Sequence, residues 1–324
     1  MKDHNGDSMR DARAYKYRGA PHDFRIGMND TFTSSGLLPL PFPVARFQRE
    51  TLFYSKTSLS AALLIGGRTE MPRTAPVYIG TSGWVYSDWK ERFYPANLPS
   101  KKLLGFYSSH FATTEVNYSF YHIPRSTTYR NWAAQVPEGF VFAVKAHRSI
   151  THILRLKDTI GVWQEFIKNA LELGVKLGPV LFQLPPSLRA DAPLLEGMLS
   201  GIRDKALMPD LRVAFEFRHA SWFKSGVLDL MRAYNASLVM AHSKRFPLAP
   251  NEATADFVYI RLHGPGQMFA STYSAEELAS WAQIVRRWAN KGKAVYIYFN
   301  NDFHAGAVNN ALALSSLLSS LGIA

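Results

Sequence analysis

From Val77 onward the chain alternates short apolar runs with longer segments of helical periodicity. The runs are Val77–Gly80, Thr113–Asn117, Phe140–Lys145, Pro179–Leu184, Arg212–Phe217, Ser237–Ala241, Phe257–His263 and Ala294–Asn300. Most are near-continuous stretches of β-branched and aromatic residues, the pattern of strands buried on both faces of a parallel sheet. Helical stripes fall between most of them. Ser100 is placed to cap a helix carrying Leu103, Leu104, Tyr107 and Phe111, and Trp163, Phe166, Ile167, Ala170 and Leu171 form one apolar face. Ser274 with Glu277 makes a capping box ahead of Leu278, Trp281, Val285 and Trp288, and a final helix runs from about Ala305 to Leu318. Strands alternating with helices in this number predict an α/β fold, a (β/α)8 TIM-like barrel over residues 76–324. The sixth-to-seventh strand connection, residues 242–256, holds Pro247 and Pro250 and reads as a loop without a full helix. An open doubly wound sheet is disfavoured, because no GxGxxG follows a strand and no GxxxxGK[ST] occurs.

Residues 1–75 scatter Gly, Pro, Ser and Asp among single aromatics without a sustained period. They read as a flexible, mostly disordered N-terminal extension, with Met71 the expected start of the protein proper. The run Leu59–Ile65 is too short to span a bilayer, and nowhere do roughly 18 apolar residues follow one another. The lack of cysteine among 324 residues excludes disulfide scaffolds, thiolate metal sites and cysteine nucleophiles, and fits a reducing compartment. A cytoplasmic protein with no membrane partner is expected. The formal charge of +12 calls for an anionic partner. A small anionic or phosphorylated substrate is the first expectation and nucleic acid the alternative.

In a barrel, side chains alternate inward and outward along each strand, and active sites lie at the strands' C-terminal ends. Period two then selects Glu115 and Asn117 on the second strand, Lys145 on the third, Gln183 on the fourth and Glu216 on the fifth. It selects Arg261 and His263 on the seventh, and Tyr296, Tyr298 and Asn300 on the eighth. Charged groups ending apolar strands are expensive to bury unless they are paired or working. A structural ring of salt bridges closing the mouth is the competing account of Glu115, Lys145, Glu216 and Arg261. Arg148, Arg218, Lys244 and Arg245 join Lys145 and Arg261 there, against two glutamates and Asp302, so the mouth favours an anion. Gly264-Pro265-Gly266 and Asn300-Asn301-Asp302, the latter ahead of Ala305-Gly306-Ala307, are placed to hold a phosphate through backbone N–H groups. His122, His147, His152, His219, His242, His263 and His304 follow strand ends, yet no HxH or HExxH spacing occurs. No cofactor and no metal ligand set are therefore assigned. A divalent metal held by some of these histidines with Glu216 and Asp302 is the alternative.

Taken together, several segments resemble the YecE-like family, a domain of unknown function numbered 72. They are Ile79-Gly-Thr-Ser-Gly-Trp84 with Asp88-Trp89 and Phe93-Tyr-Pro95, Glu115-Val-Asn117 with Phe120-Tyr121 and Pro124, and Phe142-Ala-Val-Lys145. Ile150-Thr-His152, Leu177–Pro186, Glu216-Phe-Arg-His219 with Ser221-Trp-Phe223, Arg261-Leu-His-Gly264 and Tyr298-Phe-Asn-Asn-Asp302 complete the set. The resemblance implies a TIM-like barrel and no assigned reaction. The family usually shows an aspartate after the sixth strand, where this chain has Ala241-His242-Ser243.

The functional expectation is an enzyme of hydrolase or lyase type doing acid/base chemistry on an anionic, phosphate-bearing substrate. Glu216 is cast as base or nucleophile, Glu115 as complementary acid or orienting group, and Lys145 and Arg261 as stabilisers of developing charge. Lys145 has a second role open to it, as a Schiff-base amine. Asn117, Tyr121, Gln183, Arg218, His219, Trp222, His263, Tyr298, Asn300, Asn301 and Asp302 are expected to bind substrate. The competing readings are a metal-dependent phosphodiesterase or nuclease, and a non-catalytic barrel that binds nucleic acid or a ligand through its charge.

Overall fold

A computed structural model describes residues 74–204 and 210–323. The expected N-terminal extension lies almost wholly outside the described residues. The strands are β1 (Val77–Thr81), β2 (Thr113–Val116), β3 (Val141–Lys145), β4 (Leu177–Gln183), β5 (Val213–Glu216), β6 (Ala236–His242), β7 (Phe257–Leu262) and β8 (Ala294–Phe299). The helices are α1 (Leu103–Ser108), the single turn α2 (Tyr118–Tyr121), α3 (Ser126–Ala134), α4 (Ile160–Ala170), α5 (Ala192–Asp204), α6 (Ser225–Ala233), α7 (Ala275–Ala289) and α8 (Gly306–Ser320). All eight strands are parallel and lie in the order β1-β8-β7-β6-β5-β4-β3-β2, the arrangement of a (β/α)8 barrel.

The barrel is nearly closed. Among the described residues β1 and β2 share no hydrogen-bonded ladder, and a tyrosine from α1 spans the joint instead. The Thr81 N–H donates to the Tyr107 hydroxyl at 2.9 Å, and that hydroxyl donates to the Thr113 carbonyl at 3.1 Å. Thr114 Oγ1 adds a bond to the Thr81 carbonyl at 3.1 Å. Gly80 permits this approach, since a Cβ there would sit 2.2 Å from the Thr113 oxygen.

Two apolar regions result, which is why the strands read as unbroken apolar runs. Val116, Phe142, Val144, Val180, Phe182, Phe215, Ile260 and Ile297 face the helices. Ala143, Leu181, Ala214, Val239, Phe257, Tyr259, Tyr296 and Tyr298 fill the interior. The α7 capping box forms as expected, with Ser274 and Glu277 bonded reciprocally. Ser100 does not cap α1: it opens a 3-10 turn, Ser100–Lys102, and no side chain caps the helix that follows. No helix lies between β6 and β7 among the described residues. There the Thr254 hydroxyl, itself buried, accepts from the Leu238 N–H at 2.8 Å and donates to the Ala236 carbonyl at 2.6 Å. It satisfies backbone groups of β6 that precede the first β7 pair, Val239 with Tyr259. No described helix is long and apolar enough to cross a membrane.

Candidate active site

Strand alternation brings Glu115, Lys145, Gln183, Glu216 and Arg261 to the C-terminal end of the barrel interior, one layer above Tyr259 and Tyr298. Arg261 reaches across from β7 and ties two glutamates together. Its Nε and Nη2 donate to the two oxygens of Glu115 at 2.9 and 2.7 Å, and Nη1 donates to Glu216. Glu115 also accepts from the Ser82 hydroxyl at 2.8 Å and the Tyr259 hydroxyl at 2.7 Å. It therefore receives four hydrogen bonds, two on each oxygen, and is fully buried. Glu216 takes a second guanidinium, Arg218 Nε at 2.7 Å, and His263 Nε2 lies 3.8 Å from it.

These contacts decide the charge states. Burial alone would raise the Glu115 pKa, but the charge and hydrogen bonds of Arg261, helped by Tyr259, outweigh it and hold the carboxyl below its usual range. For Glu216 burial again opposes, and Arg261 and Arg218 push the pKa well below the ordinary value. Both are firmly ionised at neutral pH. A saturated carboxylate and a strongly depressed one are poor proton acceptors.

Lys145 behaves differently. Its Nζ donates to Gln183 Oε1 at 2.8 Å, lies 4.1 Å from the centre of the Phe120 ring, and makes no salt bridge among the described residues. Burial, reinforced by the charges of Arg261 and Arg218 and only partly offset by the two glutamates, brings its pKa down to about 7. Gln183 Nε2 faces His152 Nε2 at 3.4 Å, and His152 Nδ1 lies 2.9 Å from the buried Thr151 hydroxyl. Burial and the charge of Lys145 keep His152 neutral, with a pKa near 4.

The remaining expected substrate contacts divide. Asn117, Arg218 and Asn300 border the mouth and keep partial exposure. Asn117 donates to the Ser82 carbonyl at 3.2 Å while its buried Oδ1 has no hydrogen-bond partner among the described residues. The Arg218 guanidinium covers Phe246 at 4.4 Å. Tyr121 is exposed on α2. His219 is spent on a local turn, its Nδ1 accepting from the Ser221 N–H at 3.1 Å. His263 is buried between Glu216 and Asn300, whose amide nitrogen lies 3.0 Å from Nδ1. Asp302 belongs to the wall, its carbonyl accepting from Trp89 Nε1 at 3.1 Å.

Three expectations need correction. Trp222, expected at the substrate, is fully buried, stacks on Phe217 at 4.6 Å and donates to the Leu188 carbonyl, so it packs the shell. Tyr298 lies inside the barrel with its hydroxyl 2.8 Å from Thr113 Oγ1, beneath the charged layer. Asn301 is buried and ties its loop to Ser271 and Asn310. The expected phosphate loops are also committed elsewhere. The Gly264 N–H donates to the Tyr273 hydroxyl and the Gly266 N–H to Ser271 Oγ, while Gly306 at the start of α8 is packed against Asn301. The expected metal alternative finds no ligand set, since no group of three or more His, Asp or Glu converges among the described residues.

The profile of a family described as "protein of unknown function DUF72" matches residues 78–322. The chain belongs to the DUF72 family. UPF0759 protein YunF of Bacillus subtilis (strain 168) is 26% identical over 273 residues, spanning 75% of this chain and 94% of that one. Among solved structures, a DUF72 family protein from Thermotoga maritima MSB8 is similar at 28% identity and a TM-score of 0.66, covering 75% of this chain and 99% of its own. A DUF72 family protein from Enterococcus faecalis V583 shares the fold at 21% identity and a TM-score of 0.64, covering 75% and 95%. The DUF72 match ends at residue 322 and takes in every strand except the first residue of β1.

Sequence reasoning passed over Tyr259 and Ser82 and gave His152 no role of its own. Tyr259 stands two residues before Arg261 and Ser82 two after Gly80, so the same period-two rule reaches both. His152 sits in an irregular turn, Ser149–Ile153, where no period applies.

The buried titrating groups predict an acid limit. His263, like His152, is driven by burial to a pKa near 4, against 6.5 when unfolded. Between these values the unfolded chain binds protons that the folded chain refuses, so stability falls as pH drops below 6.5. Below 4.5 Glu115 and Glu216, whose folded pKa values are depressed, add to the loss. The unfolding free energy from urea titrations is expected to decline from pH 6.5, by on the order of 2 kcal/mol before pH 4.5, and more steeply beneath it. A stability flat from pH 7 to 4 would contradict this.

Proposed function

We propose that this DUF72 barrel is an enzyme of hydrolase or lyase type that does acid/base chemistry on an anionic substrate, with Lys145 the acting group. The observation that carries the reading is a buried amine bonded to an amide oxygen instead of a carboxylate. An amine titrating near neutral pH can both take and return a proton at working pH. Glu115, Arg261 and Glu216 form the fixed platform beside it. A barrel serving only to bind charge has no use for such an amine, since burying it unpaired costs stability.

The anion is assigned to Arg218 with Arg148, Lys244 and Arg245 of the surrounding loops. A phosphate on the substrate would meet these side chains, because the loop N–H groups first expected to hold it already have partners. The full chain should be incubated with a library of anionic metabolites and consumption followed by mass spectrometry. At least one compound is expected to be converted, with the rate falling 10²- to 10⁴-fold in Lys145→Gln and rising through about pH 7 in the native chain. Conversion that survives Lys145→Gln, or binding of library members without turnover of any, would overturn the proposal.

A further inference from the structure

We infer that Lys145 acts as a nucleophile, and that its substrates are small carbonyl compounds carrying an acidic group, 2-oxo acids in the first instance, which it takes up as an imine. This rests on the reading of Lys145 as the acting group and adds the covalent step. Nucleophilic amines are made by desolvation beside other cations, which keeps the lone pair free at neutral pH. Nζ ends β3 in the buried layer, with Arg261 and Arg218 acting on it and, among the described residues, no acid paired to it. Glu115 and Glu216 pull the other way, but both are already bound to guanidinium groups. The Phe120 ring also favours the protonated amine.

The surroundings of Nζ are arranged for presentation of the amine. Gln183 turns its oxygen to Nζ and its nitrogen to His152, whose other nitrogen faces Thr151. His152 is thus a positioning residue: it keeps the amide from turning its NH2 toward the amine. Among the described residues, one Nζ hydrogen is engaged in a hydrogen bond.

The step balances without an oxidant or reductant. The Nζ lone pair adds to the carbonyl carbon, the C=O π pair moves to oxygen, and that oxygen takes up a proton. The amine loses a proton, giving a neutral carbinolamine. Protonation of its hydroxyl and departure as water leave a C=N bond to Lys145, one water being released for each carbonyl consumed. The acidic group next to the carbonyl is met by Arg218, which keeps 14% of its side chain exposed at the mouth.

Reductive trapping tests this on the full chain. The protein is incubated at pH 7 with glyoxylate or pyruvate and sodium cyanoborohydride, then analysed by intact mass and peptide mapping. One adduct per chain is expected, on Lys145, at least tenfold above any other lysine and absent from Lys145→Gln. Adducts spread over surface lysines, or none on Lys145, would overturn the inference. Competitive acetylation of the native chain across pH separates this from the parent reading. A Lys145 midpoint near 7 without trapping removes the imine and leaves the acid/base role. A midpoint near the ordinary 10.5 removes both.

Discussion

Replacing Arg261 by leucine is expected to cost about 3–5 kcal/mol of folding stability, a large share of what a domain of this kind possesses. Arg261 is almost fully buried and is the shared counter-ion of Glu115 and Glu216. Its removal strands the first carboxylate among the Ser82 and Tyr259 hydroxyls and leaves the second with Arg218 and the neighbouring His263. An unpaired buried charge is far more costly than a well-packed apolar replacement of the whole pair. Lysine at position 261 is expected to rescue poorly, because one ammonium cannot reproduce the two-pronged contact with Glu115. The pH dependence adds a second check. Without Arg261, burial raises the glutamate pKa values, so the deficit should shrink in mild acid as the stranded carboxylates take up protons. Urea denaturation of both proteins at pH 7 and pH 5 measures this, and a loss below about 1 kcal/mol at pH 7 would show that the ion network carries little of the fold.

Lys145→Met should do the opposite. The amine titrates near 7 in the folded chain and near 10.5 when unfolded, so at pH 7 folding must partly strip a proton from it or bury a charge. A shift of that size corresponds to about 4–5 kcal/mol as an upper bound, from which the lost partner of Gln183 takes back about 1–2. The methionine chain is therefore expected to be about 2–4 kcal/mol more stable at pH 6–7. Between pH 7 and 10.5 the unfolded lysine still binds its proton while the folded one has released it. The cost of lysine accordingly fades as pH rises, and the advantage of methionine should fade with it. Equal or lower stability of Lys145→Met at pH 7 would mean that Lys145 sits in the fold without strain, and the main physical support for its chemical role would be gone.

Much of the barrel was legible in the residues themselves. Strands such as Phe257–Leu262 and Ala294–Phe299 are covered on both sides, so their composition announces them. Alternation along them was enough to choose Glu115, Lys145, Gln183, Glu216 and Arg261, which do meet. What alternation could not show is the direction of reach within that layer. Arg261 crosses from β7 to Glu115 on β2, and linear spacing says nothing about that span. The division between carboxylates held by guanidinium groups and an amine bonded to an amide oxygen therefore stayed hidden. Loop residues were harder still. Trp222 and His219 lie where no period governs which way a side chain turns, and the first was absorbed by Phe217 and the second by Ser221. Tyr107 read as one apolar position in a helical stripe, because its hydroxyl matters only against strands from elsewhere in the chain.

The joint bridged by Tyr107 bears on the order in which the protein is assembled. Among the described residues β1 has a backbone ladder with β8 alone, so Val77 finds its partner at Val295, almost the length of the domain away. Strands β2 to β8 can zip in turn, each against its predecessor, whereas β1 gains its ladder only once β8 is present. A ribosome-bound fragment lacking the C-terminal strand would carry most of the charged layer and yet leave it uncapped on that side.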